Sequence, residues 1–423
     1  MNQRKLAINT LTQILENNGY NNIVLNRNLN KFNNLTAQQK AKVTDLVNGT
    51  LRNIIHIDYI INIFSKTNTS KMDKIVLYSL RISVYEIFYT HTSHYAICNE
   101  AVNIVKSKTK HLASFVNGFL RNLIRNKDNI SYPKDKTQYF SIVYSIPLWL
   151  LEYFATFLSD QEIENFCKAS NNPPSLSLYV NTLLTTKEDL LKQLKNEQVV
   201  TKIGNFKNSI FITKTNNLNN LESFTKGYFH IIDEASIEAV MALCPKPFST
   251  VYDICAAPGG KSFLMAYLMD DKGKIIATDI HQHKINLLQD GAKRLNITSI
   301  KPMVNDATKS ALPQNNADYV LLDAPCSGFG TLSKKPDIKY TKNKKNIIEL
   351  ANLQKQLLKS TAKYAKIGGH LLYSTCTISV EENQNNIDWF LKTYDYIKIE
   401  EKQTIPNLSG SDGFYFALLQ RRS

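Results

Sequence analysis

The most informative segment of this 423-residue chain reads Asp253-Ile254-Cys255-Ala256-Ala257-Pro258-Gly259-Gly260-Lys261. It begins within an apolar run, 250–254, that predicts a buried strand, and it precedes a predicted helix at 262–269. Small residues and paired glycines at such a strand-to-helix turn let the backbone approach a ligand closely. The segment has neither the spacing of GxGxxG nor that of GxxxxGK[ST], so a dinucleotide or a nucleoside triphosphate is disfavoured.

Strands and helices alternate through the rest of this part of the chain. We predict further strands at 274–278, 300–304, 319–322 and 370–374, and helices at 281–295, 347–366 and 381–392. Such alternation is typical of a parallel sheet with helices on both faces. Ligands of these sheets bind beyond the carboxyl ends of the strands, and the candidate functional residues fall at those ends.

Acidic and amide residues follow the second and third predicted strands of this sheet. Asp279 ends the second strand, where an acid commonly accepts hydrogen bonds from both hydroxyls of a ribose. Asn305 and Asp306 end the third strand, where an acid or an amide can meet the amino group of adenine. Each acid alone would also suit a helix N-cap. Together with the glycine turn, the three positions predict a site for S-adenosylmethionine (SAM).

Two cysteines follow the fourth and fifth strands, on the same side of the predicted sheet. Cys326 lies in the segment Leu322–Gly328, directly after Asp323, and Cys376 lies in Tyr373–Thr377. Carbon 5 of cytosine is a poor nucleophile until a thiolate adds at carbon 6, so thiols beside a SAM site favour carbon-5 methylation. A carboxyl group must stabilise the adduct, and we expect the site to lower the pKa of the attacking thiol.

The composition is that of an ordinary globular protein, with 43% hydrophobic and 21% charged residues. It excludes a disordered chain, a collagen-like fibre and a polytopic membrane protein. A net charge of +15 favours a polyanionic partner, most often nucleic acid, although an anionic membrane also fits this charge. The amino end has no signal peptide, so a cytoplasmic protein with reduced thiols is expected.

The six cysteines form neither a CxxC pair nor a Cys/His cluster with zinc spacing, so no metal site is predicted. Cys98, Cys167 and Cys244 are expected to be packing residues. Cys255 also suits packing, although its position in the glycine turn favours contact with the ligand.

We predict three domains. The first, residues 1–135, is predicted to be helical, because it has almost no Gly or Pro, and it ends in a polar linker. The second, residues 140–235, is predicted to be a small α/β domain. The third, residues 236–423, contains the alternating strands and helices. The longest apolar stretch, 140–159, is too interrupted to span a membrane. Cations between the apolar positions of the helical domain suit either solvated helix faces or a basic surface for RNA: Lys106, Lys108, Lys110, Arg121, Arg125 and Lys127.

These strings resemble those of the RNA (cytosine-5) methyltransferases, in particular the bacterial 16S rRNA methyltransferase B (Fmu/Sun) family. The similarity lies in DICAAPGGKS, LLDAPCSGFGT, KKPDIKY, GGHLLYSTCTISVEEN and DGFYFALL, in the family's order. Upstream, NGTLR at 48–52 and the patterns at 99–102 and 115–117 resemble a NusB-like RNA-binding domain, and 145–151 resembles the family's junction. The resemblance implies an all-α NusB-like bundle, a small α/β connecting domain and a Rossmann-like SAM-dependent methyltransferase domain.

The resemblance also implies roles for the site residues. Cys376 would be the nucleophile at carbon 6, Cys326 would assist release of the methylated base, and Asp323 would hydrogen-bond the cytosine edge. The role of Lys261 stays open between a ligand contact and support of the turn. The cofactor would be bound by Cys255, Ala256, Ala257, Pro258, Gly259, Gly260, Lys261, Asp279, Asp306 and Asp323.

The activity expected is methylation of a 16S rRNA cytosine by a monomeric enzyme, with the base drawn out of its stack. The same chemistry on tRNA, another RNA or DNA stays open, and the DNA reaction would exchange the roles of Cys326 and Cys376. A non-catalytic RNA-binding or antitermination module is disfavoured by the intact cysteine pair, and a NAD-type enzyme by the missing GxGxxG. The chain departs from the family at Ile232, where Gln is frequent, and at Lys334-Lys335, where Arg is usual.

Overall fold

The computed structural model describes residues 2–17, 19–32, 35–172, 174, 176–215, 218–309, 311–407 and 412–423. Its contacts divide the chain into two compact units. The first unit comprises Met1–Pro173 and Leu332–Thr341, and the second comprises Pro174–Thr331 and Lys342–Ser423. This division differs from the predicted boundaries, because the helices between 140 and 171 group with the first unit, and so do ten residues from the carboxyl-terminal part.

Helices form the first unit, and two β-sheets form the centre of the second. The helices are α1 (Gln3–Leu15), α2 (Asn21–Asn30), α3 (Ala37–Arg52), α4 (Ile54–Phe64), α5 (Lys74–Tyr89), α6 (His94–Lys106), α7 (Ala113–Asn126), α8 (Lys136–Val143), α9 (Leu148–Phe154), α10 (Asp160–Asn171), α11 (Lys187–Asn196), α12 (Glu222–Thr225), α13 (Glu234–Leu243), α14 (Gly260–Leu268), α15 (Gln282–Arg294), α16 (Ile338–Thr341), α17 (Lys344–Thr361) and α18 (Gln384–Thr393). The strands are β1 (Leu176–Val180), β2 (Val200–Ile203), β3 (Ser209–Lys214), β4 (Phe229–Ile231), β5 (Thr250–Ile254), β6 (Lys274–Asp279), β7 (Ile300–Val304), β8 (Ala317–Asp323), β9 (Ala365–Thr375), β10 (Tyr396–Thr404) and β11 (Phe414–Arg421).

The helices of the first unit bury their apolar faces in one shared core. In α1, for example, the buried residues recur at the spacing of one helix face, at positions 7, 11 and 14. The core also encloses the carboxylate of Glu86, which is paired with Arg4 and Lys42 and is therefore tolerated. Within the part of the chain that the structure describes, none of the helices combines the length and the apolar content that crossing a membrane requires.

The segment Leu332–Thr341 belongs to the helical unit although the sequence on both sides of it belongs to the second unit. Its Lys339 is 1% exposed. The Nζ of Lys339 donates to the carbonyl oxygens of Arg52 (3.1 Å) and Tyr144 (3.4 Å) and to Oδ1 of Asn171 (2.9 Å). These acceptors stand at the carboxyl-terminal ends of α3, α8 and α10, where helix dipoles favour a cation. Burial lowers the pKa of Lys339 to about 7, and its single amino group joins three helix ends.

The smaller sheet of the second unit is antiparallel, with the strand order β2-β3-β1-β4. It packs against α11 through a small apolar core of its own. For the small α/β domain the sequence predicts strands at 177–180 and 209–213, and both are present, as β1 and β3. The prediction missed β2 and β4, which are only four and three residues long and so show no periodic pattern.

The larger sheet has the order β10-β11-β9-β8-β5-β6-β7. Its five predicted strands pair in parallel, whereas β11 and β10 add an antiparallel edge beyond β9. The prediction missed these last two strands; β11 is buried along most of its length and so lacks the alternation of a half-buried strand. The strand order reverses between β5 and β8, and such a reversal opens a crevice for ligands at the carboxyl ends of the strands.

Candidate active site

The turn after β5 has a backbone conformation that few residues accept. Cys255 has a φ of 64° and Gly259 a φ of 111°. A Cβ at Gly259 would lie 2.5 Å from the ring of Phe263, so only glycine fits at this position. The segment Cys255–Lys261 therefore lies at the carboxyl end of β5 and leads directly into α14, whose first N–H groups have no partner within the helix.

The small sheet supports this turn through His230 of β4. Its Nε2 donates to the carbonyl oxygen of Gly260 at 3.0 Å, and its ring packs edge-on against Phe263 and Tyr267. Burial lowers the pKa of His230 to about 3, so the ring is neutral. Ile232, where the family often has Gln, is buried beside the same glycine. Sequence patterns carried no sign of this support.

Asp279 ends β6, one strand away from the turn, and is 6% exposed. Its Oδ1 accepts the backbone N–H of His281 at 3.0 Å, and its Oδ2 lies 3.5 Å from Nζ of Lys284. Both oxygens keep free lone pairs, because each has one donor among the described residues. The carboxylate can therefore accept hydrogen bonds from a diol.

At the end of β7, Asn305 and Asp306 differ in how far their side chains are already engaged. Asp306 accepts hydrogen bonds from the backbone N–H and the hydroxyl of Thr308, and it pairs with Lys309 at 3.3 Å. Asn305 is buried, and its Nδ2 has no hydrogen-bond partner among the described residues. A buried donor without a partner is costly and suits a ring nitrogen of an adenine. These residues thus fit an adenosine ligand. Asn305 is the stronger candidate for contact with the adenine, because its donor is unpaired among the described residues whereas Asp306 is already paired.

The structure brings the two cysteines of the predicted site together. Cys326 follows β8 and Cys376 follows β9, and their sulfur atoms lie 3.0 Å apart although 50 residues separate them in sequence. The reason is topological, since β8 and β9 are parallel neighbours whose carboxyl ends meet. The hydrogen bond to Cys376, together with burial, holds the pKa of Cys326 well above its ordinary value. Cys326 is therefore a protonated thiol, not the lowered-pKa group expected of an attacking cysteine.

The other cysteines lie in different environments. Burial raises the pKa of Cys255 to about 12, so it too is a thiol at neutral pH. Cys98 is half-buried and Cys167 is buried, as expected of packing residues. The prediction was wrong for Cys244, which is exposed. It ends α13 as the C-cap residue, in a left-handed conformation with a φ of 43°.

An ion pair joins the glycine turn to the cysteine strands. The Oδ2 of Asp323, at the end of β8, lies 2.6 Å from Nζ of Lys261, and its Oδ1 accepts the hydroxyl of Ser374 at 2.8 Å. Burial alone would lower the pKa of Lys261, but the charge of Asp323 and the hydrogen bond to it outweigh burial and raise that pKa. Lys261 is thus a fixed cation, 5.3 Å from the ring centroid of Phe414.

Sequence reasoning missed two buried carboxyl groups of this region. Asp253 in β5 is fully buried, accepts the hydroxyl of Ser262 at 2.5 Å, and has a pKa that burial raises to about 7. Glu382, after β9, is equally buried. Asp253 could have been found, because an acid within an otherwise apolar strand at a ligand-binding turn is unusual. Glu382 lies in the quoted segment GGHLLYSTCTISVEEN, but nothing beyond that resemblance distinguishes it from the neighbouring Glu381.

Comparison with known proteins agrees with this arrangement. Residues 240–420 match the 16S rRNA methyltransferase RsmB/F family, residues 1–125 match the NusB family, and residues 146–219 match the ferredoxin-like domain of RsmF/B-like methyltransferases. The probable ribosomal RNA small subunit methyltransferase B of Bacillus subtilis is 33% identical over 99% of this chain and 98% of its own length. This chain belongs to the RsmB/F family. It is therefore a SAM-dependent methyltransferase of small-subunit rRNA, and the predicted resemblance, fold class and cofactor are confirmed.

Other RsmB/F relatives and solved structures extend the match. The ribosomal RNA small subunit methyltransferase B of Proteus mirabilis is 27% identical over 100% of this chain and 99% of its own length. The crystal structure of PH0851 is 28% identical, with a TM-score of 0.84 over 100% of this chain and 99% of its own. NSun6 from Pyrococcus horikoshii, solved with SFG, is 22% identical with a TM-score of 0.62, covers 66% of this chain and 100% of its own, and shows the shared fold alone.

Proposed function

We propose that this RsmB/F family member methylates carbon 5 of a cytosine in 16S rRNA through a transient bond between Cys376 and carbon 6. The observation that carries the proposal is the pair of thiols, 3.0 Å apart, at the carboxyl ends of β8 and β9. Methylation of an exocyclic amino group needs no thiol. Two cysteines beside the ion pair of Asp323 and Lys261 therefore favour a carbon nucleophile over a nitrogen nucleophile.

The reaction follows from the electron demand of the ring. The thiolate of Cys376 adds to carbon 6, which breaks the conjugation and leaves carbon 5 with the electron density of an enamine. Bound SAM would supply the methyl group to carbon 5, and S-adenosylhomocysteine would leave as the bond between the sulfonium sulfur and the methyl group breaks. A base then takes the proton from carbon 5, the electrons of that C–H bond restore the double bond to carbon 6, and the carbon–sulfur bond breaks to return Cys376 as a thiolate.

The charge that develops on the cytosine ring would be stabilised by Asp323, which Ser374 and Lys261 hold in place. The carboxylate of Asp323 is held from both sides by Ser374 and Lys261 and keeps lone pairs for an N–H of the cytosine edge. Cys326 retains its proton because its pKa is raised. We assign it to release of the methylated base, as a neutral thiol next to the sulfur that must leave.

We assign the cofactor to the carboxyl ends of β5, β6 and β7. The backbone of Cys255–Lys261 would face the cofactor closely, as the positive φ of Gly259 supports. The carboxylate of Asp279 would accept hydrogen bonds from the ribose hydroxyls, and the orphan Nδ2 of Asn305 would meet the adenine ring. The carboxylate of Asp306 already binds Thr308 and Lys309, so we expect it to contribute less to cofactor affinity than Asp279.

The helical unit presents a surface suited to the rRNA. Lys106, Lys108, Lys110, Arg121 and Arg125 are exposed on α6, on α7 and on the loop between them. Between positions 94 and 127 the sequence has a single acid, the half-buried Glu100, against six Lys and Arg. An excess of exposed cations without acids is typical of phosphate binding. We therefore propose that this basic face holds the RNA backbone around the target.

Two cysteine variants test the chemistry. Cys376→Ala should abolish methylation, with SAM affinity nearly unchanged, because it removes the attacking sulfur. Cys326→Ala should accumulate a covalent protein–RNA adduct, seen on denaturing gels with 16S rRNA and labelled SAM. Cys167→Ala, at a buried cysteine of the helical unit, is the matched control.

The gel separates the alternatives directly. An adduct formed by Cys376→Ala and absent from Cys326→Ala would reverse the two roles, as in the DNA enzymes. Methylation that survives both substitutions would remove carbon-5 chemistry altogether. Transfer of label into tRNA and not into 16S rRNA would contradict the substrate.

A further inference from the structure

A buried carboxylate that the proposed chemistry does not use lies behind the two cysteine loops. Glu382 stands between β9 and α18 and is fully buried. Its Oε1 accepts the backbone N–H of Ser327 at 2.8 Å and Nε2 of Gln354 at 3.0 Å, and its Oε2 accepts the hydroxyl of Ser327 at 2.5 Å. These donors are neutral groups, and together they suit an acceptor-only carboxylate.

The residues on both sides of Cys326 are held by this cluster. Gln354 of α17 donates not only to Glu382 but also to the carbonyl oxygen of Pro325, at 2.9 Å. Ser327, directly after the cysteine, is held through its backbone N–H and its hydroxyl. The loop that carries Cys326 is therefore fixed at the preceding and the following residue.

The same cluster reaches the other cysteine loop. The hydroxyl oxygens of Ser327 and Thr377 lie 2.7 Å apart, and Thr377 directly follows Cys376. Because the hydroxyl proton of Ser327 is directed to Glu382, Thr377 is the donor in this pair. One hydrogen-bond chain thus runs from the carboxylate through Ser327 to the loop of the nucleophile.

Residues of α17, α18 and β9 hold Glu382 and its donors in place. Asn386 of α18 donates to Oε1 of Gln354 at 2.9 Å, which orients the amide N–H of Gln354 toward Glu382 and Pro325. The hydroxyl of Tyr373, in β9, donates to the backbone carbonyl of Glu382 at 2.6 Å. Burial raises the pKa of Glu382, and a buried carboxyl group of this kind costs stability unless its hydrogen bonds are complete.

We propose that Glu382 is a positioning residue which holds the Cys326 loop against the Cys376 loop, and that it serves the release step of the reaction. The inference rests on the proposed function, since it assigns Cys326 to release. The carboxylate accepts directly from Ser327, next to Cys326, and holds Pro325 through Gln354. On the other loop it acts through Thr377 and Ser379, and Ser379 is three residues away from Cys376. Loss of the carboxylate should therefore displace Cys326 more than the nucleophile.

The test is Glu382→Gln in the full-length chain. An amide has one acceptor oxygen in place of two, so it cannot accept from all three donors. We expect kcat for methylation of 16S rRNA to fall about 10- to 100-fold, the effect of losing a hydrogen bond to a charged group. The dissociation constant for SAM should stay unchanged, and the covalent adduct should accumulate as in Cys326→Ala. Glu349→Gln, at an exposed acid of α17, is the matched control.

Ser327→Ala supplies a second, milder variant. It removes the hydroxyl that links Glu382 to Thr377 but keeps the backbone N–H and the contact with Gln354. It should show the same pattern of lowered kcat, unchanged SAM affinity and visible adduct, to a smaller extent. If Glu382→Gln fails to fold, as judged by circular dichroism, the outcome with Ser327→Ala decides.

The results distinguish this inference from the function on which it rests. Wild-type kcat in Glu382→Gln, or a loss of activity without adduct while Cys326→Ala does accumulate it, overturns the positioning role. A parallel loss of SAM affinity also overturns it, because the cluster would then support the fold in general. If Cys326→Ala itself yields no adduct, the proposed function fails, whatever Glu382→Gln does.

Discussion

Lys261 connects two parts of the site through a single side chain. Its backbone belongs to the glycine turn after β5, and its ammonium group pairs with Asp323 at 2.6 Å, at the end of β8. The sequence left open whether this lysine meets a ligand or positions the turn. The ion pair supports the second role, because the ammonium group is already engaged by a carboxylate that the proposed chemistry uses.

The acids after β6 and β7 should differ in their effect on the cofactor. Asp279→Ala removes a buried carboxylate with free lone pairs, so we expect SAM affinity to fall about 10- to 100-fold. Asp306→Ala should cost much less, because its carboxylate already serves Thr308 and Lys309. Calorimetric titration with SAM measures both. Wild-type affinity in Asp279→Ala would remove this residue from the site.

His230 predicts a pH dependence of stability. Its folded pKa, about 3, lies below the ordinary value of 6.5. Between pH 3 and pH 6.5 the imidazole of His230 is therefore protonated in the unfolded chain and neutral in the folded chain. The contribution of the neutral ring to the free energy of unfolding is complete above pH 6.5 and is lost as the pH falls toward 3. In His230→Phe the free energy of unfolding should decline less steeply between pH 6.5 and 4 than in the wild type. Equal slopes in urea titrations would contradict this.

At the scale of single elements, two helical glycines of the first unit should respond in opposite ways to the same substitution. A Cβ at Gly49 in α3 would lie 2.0 Å from the ring of Tyr85, whereas at Gly118 in α7 it would meet nothing within 4 Å. Gly49→Ala should destabilise the protein by about 1–3 kcal/mol through overpacking. Gly118→Ala should stabilise it by about 0.5–1 kcal/mol, because alanine is the better helix former. Thermal unfolding of the two variants checks the signs, and a stable Gly49→Ala would contradict the close contact.

At the level of secondary structure, the parallel pairing of β8 with β9 brings the two cysteine loops together. Both strands end at the same edge of the sheet, in continuous register from Tyr319 with His370 to Asp323 with Ser374. The next residues of each strand lead directly into a cysteine loop. The contact between the two thiols thus follows from parallel pairing. We propose that the hydrogen bonds around Glu382 then set the positions of the two cysteine loops.

At the scale of the whole molecule, the excess of 15 positive charges should govern rRNA binding. The logarithm of the binding constant should fall linearly with the logarithm of salt concentration, because bound phosphates release counterions. Replacing Arg121 and Arg125 together by Gln should weaken binding of every RNA sequence and reduce this slope by about 1–2. Filter binding at several salt concentrations measures it. Lys226→Gln, at a cation paired with Glu222, is the control, and an equal loss in both variants would contradict the assigned face.

Local features of the sequence were sufficient for much of this molecule. The five parallel strands, the glycine turn and the two cysteine loops follow from apolar runs, paired glycines and the order of elements, each readable within about ten residues. The helical character of the amino-terminal part follows equally from its periodicity and its lack of Gly and Pro. These features are local because hydrogen bonding and side-chain periodicity act between near neighbours along the chain.

Only the tertiary structure decided what depends on neighbours in space. It placed β10 and β11 antiparallel at the sheet edge and grouped Leu332–Thr341 with the helical unit. It also left Nδ2 of Asn305 without a hydrogen-bond partner among the residues that the structure describes. It also set the sulfur atoms 3.0 Å apart and surrounded Glu382 with donors from distant elements. The physical reason is that burial and hydrogen bonding between residues tens of positions apart depend on which elements pack together, and no local pattern records that choice.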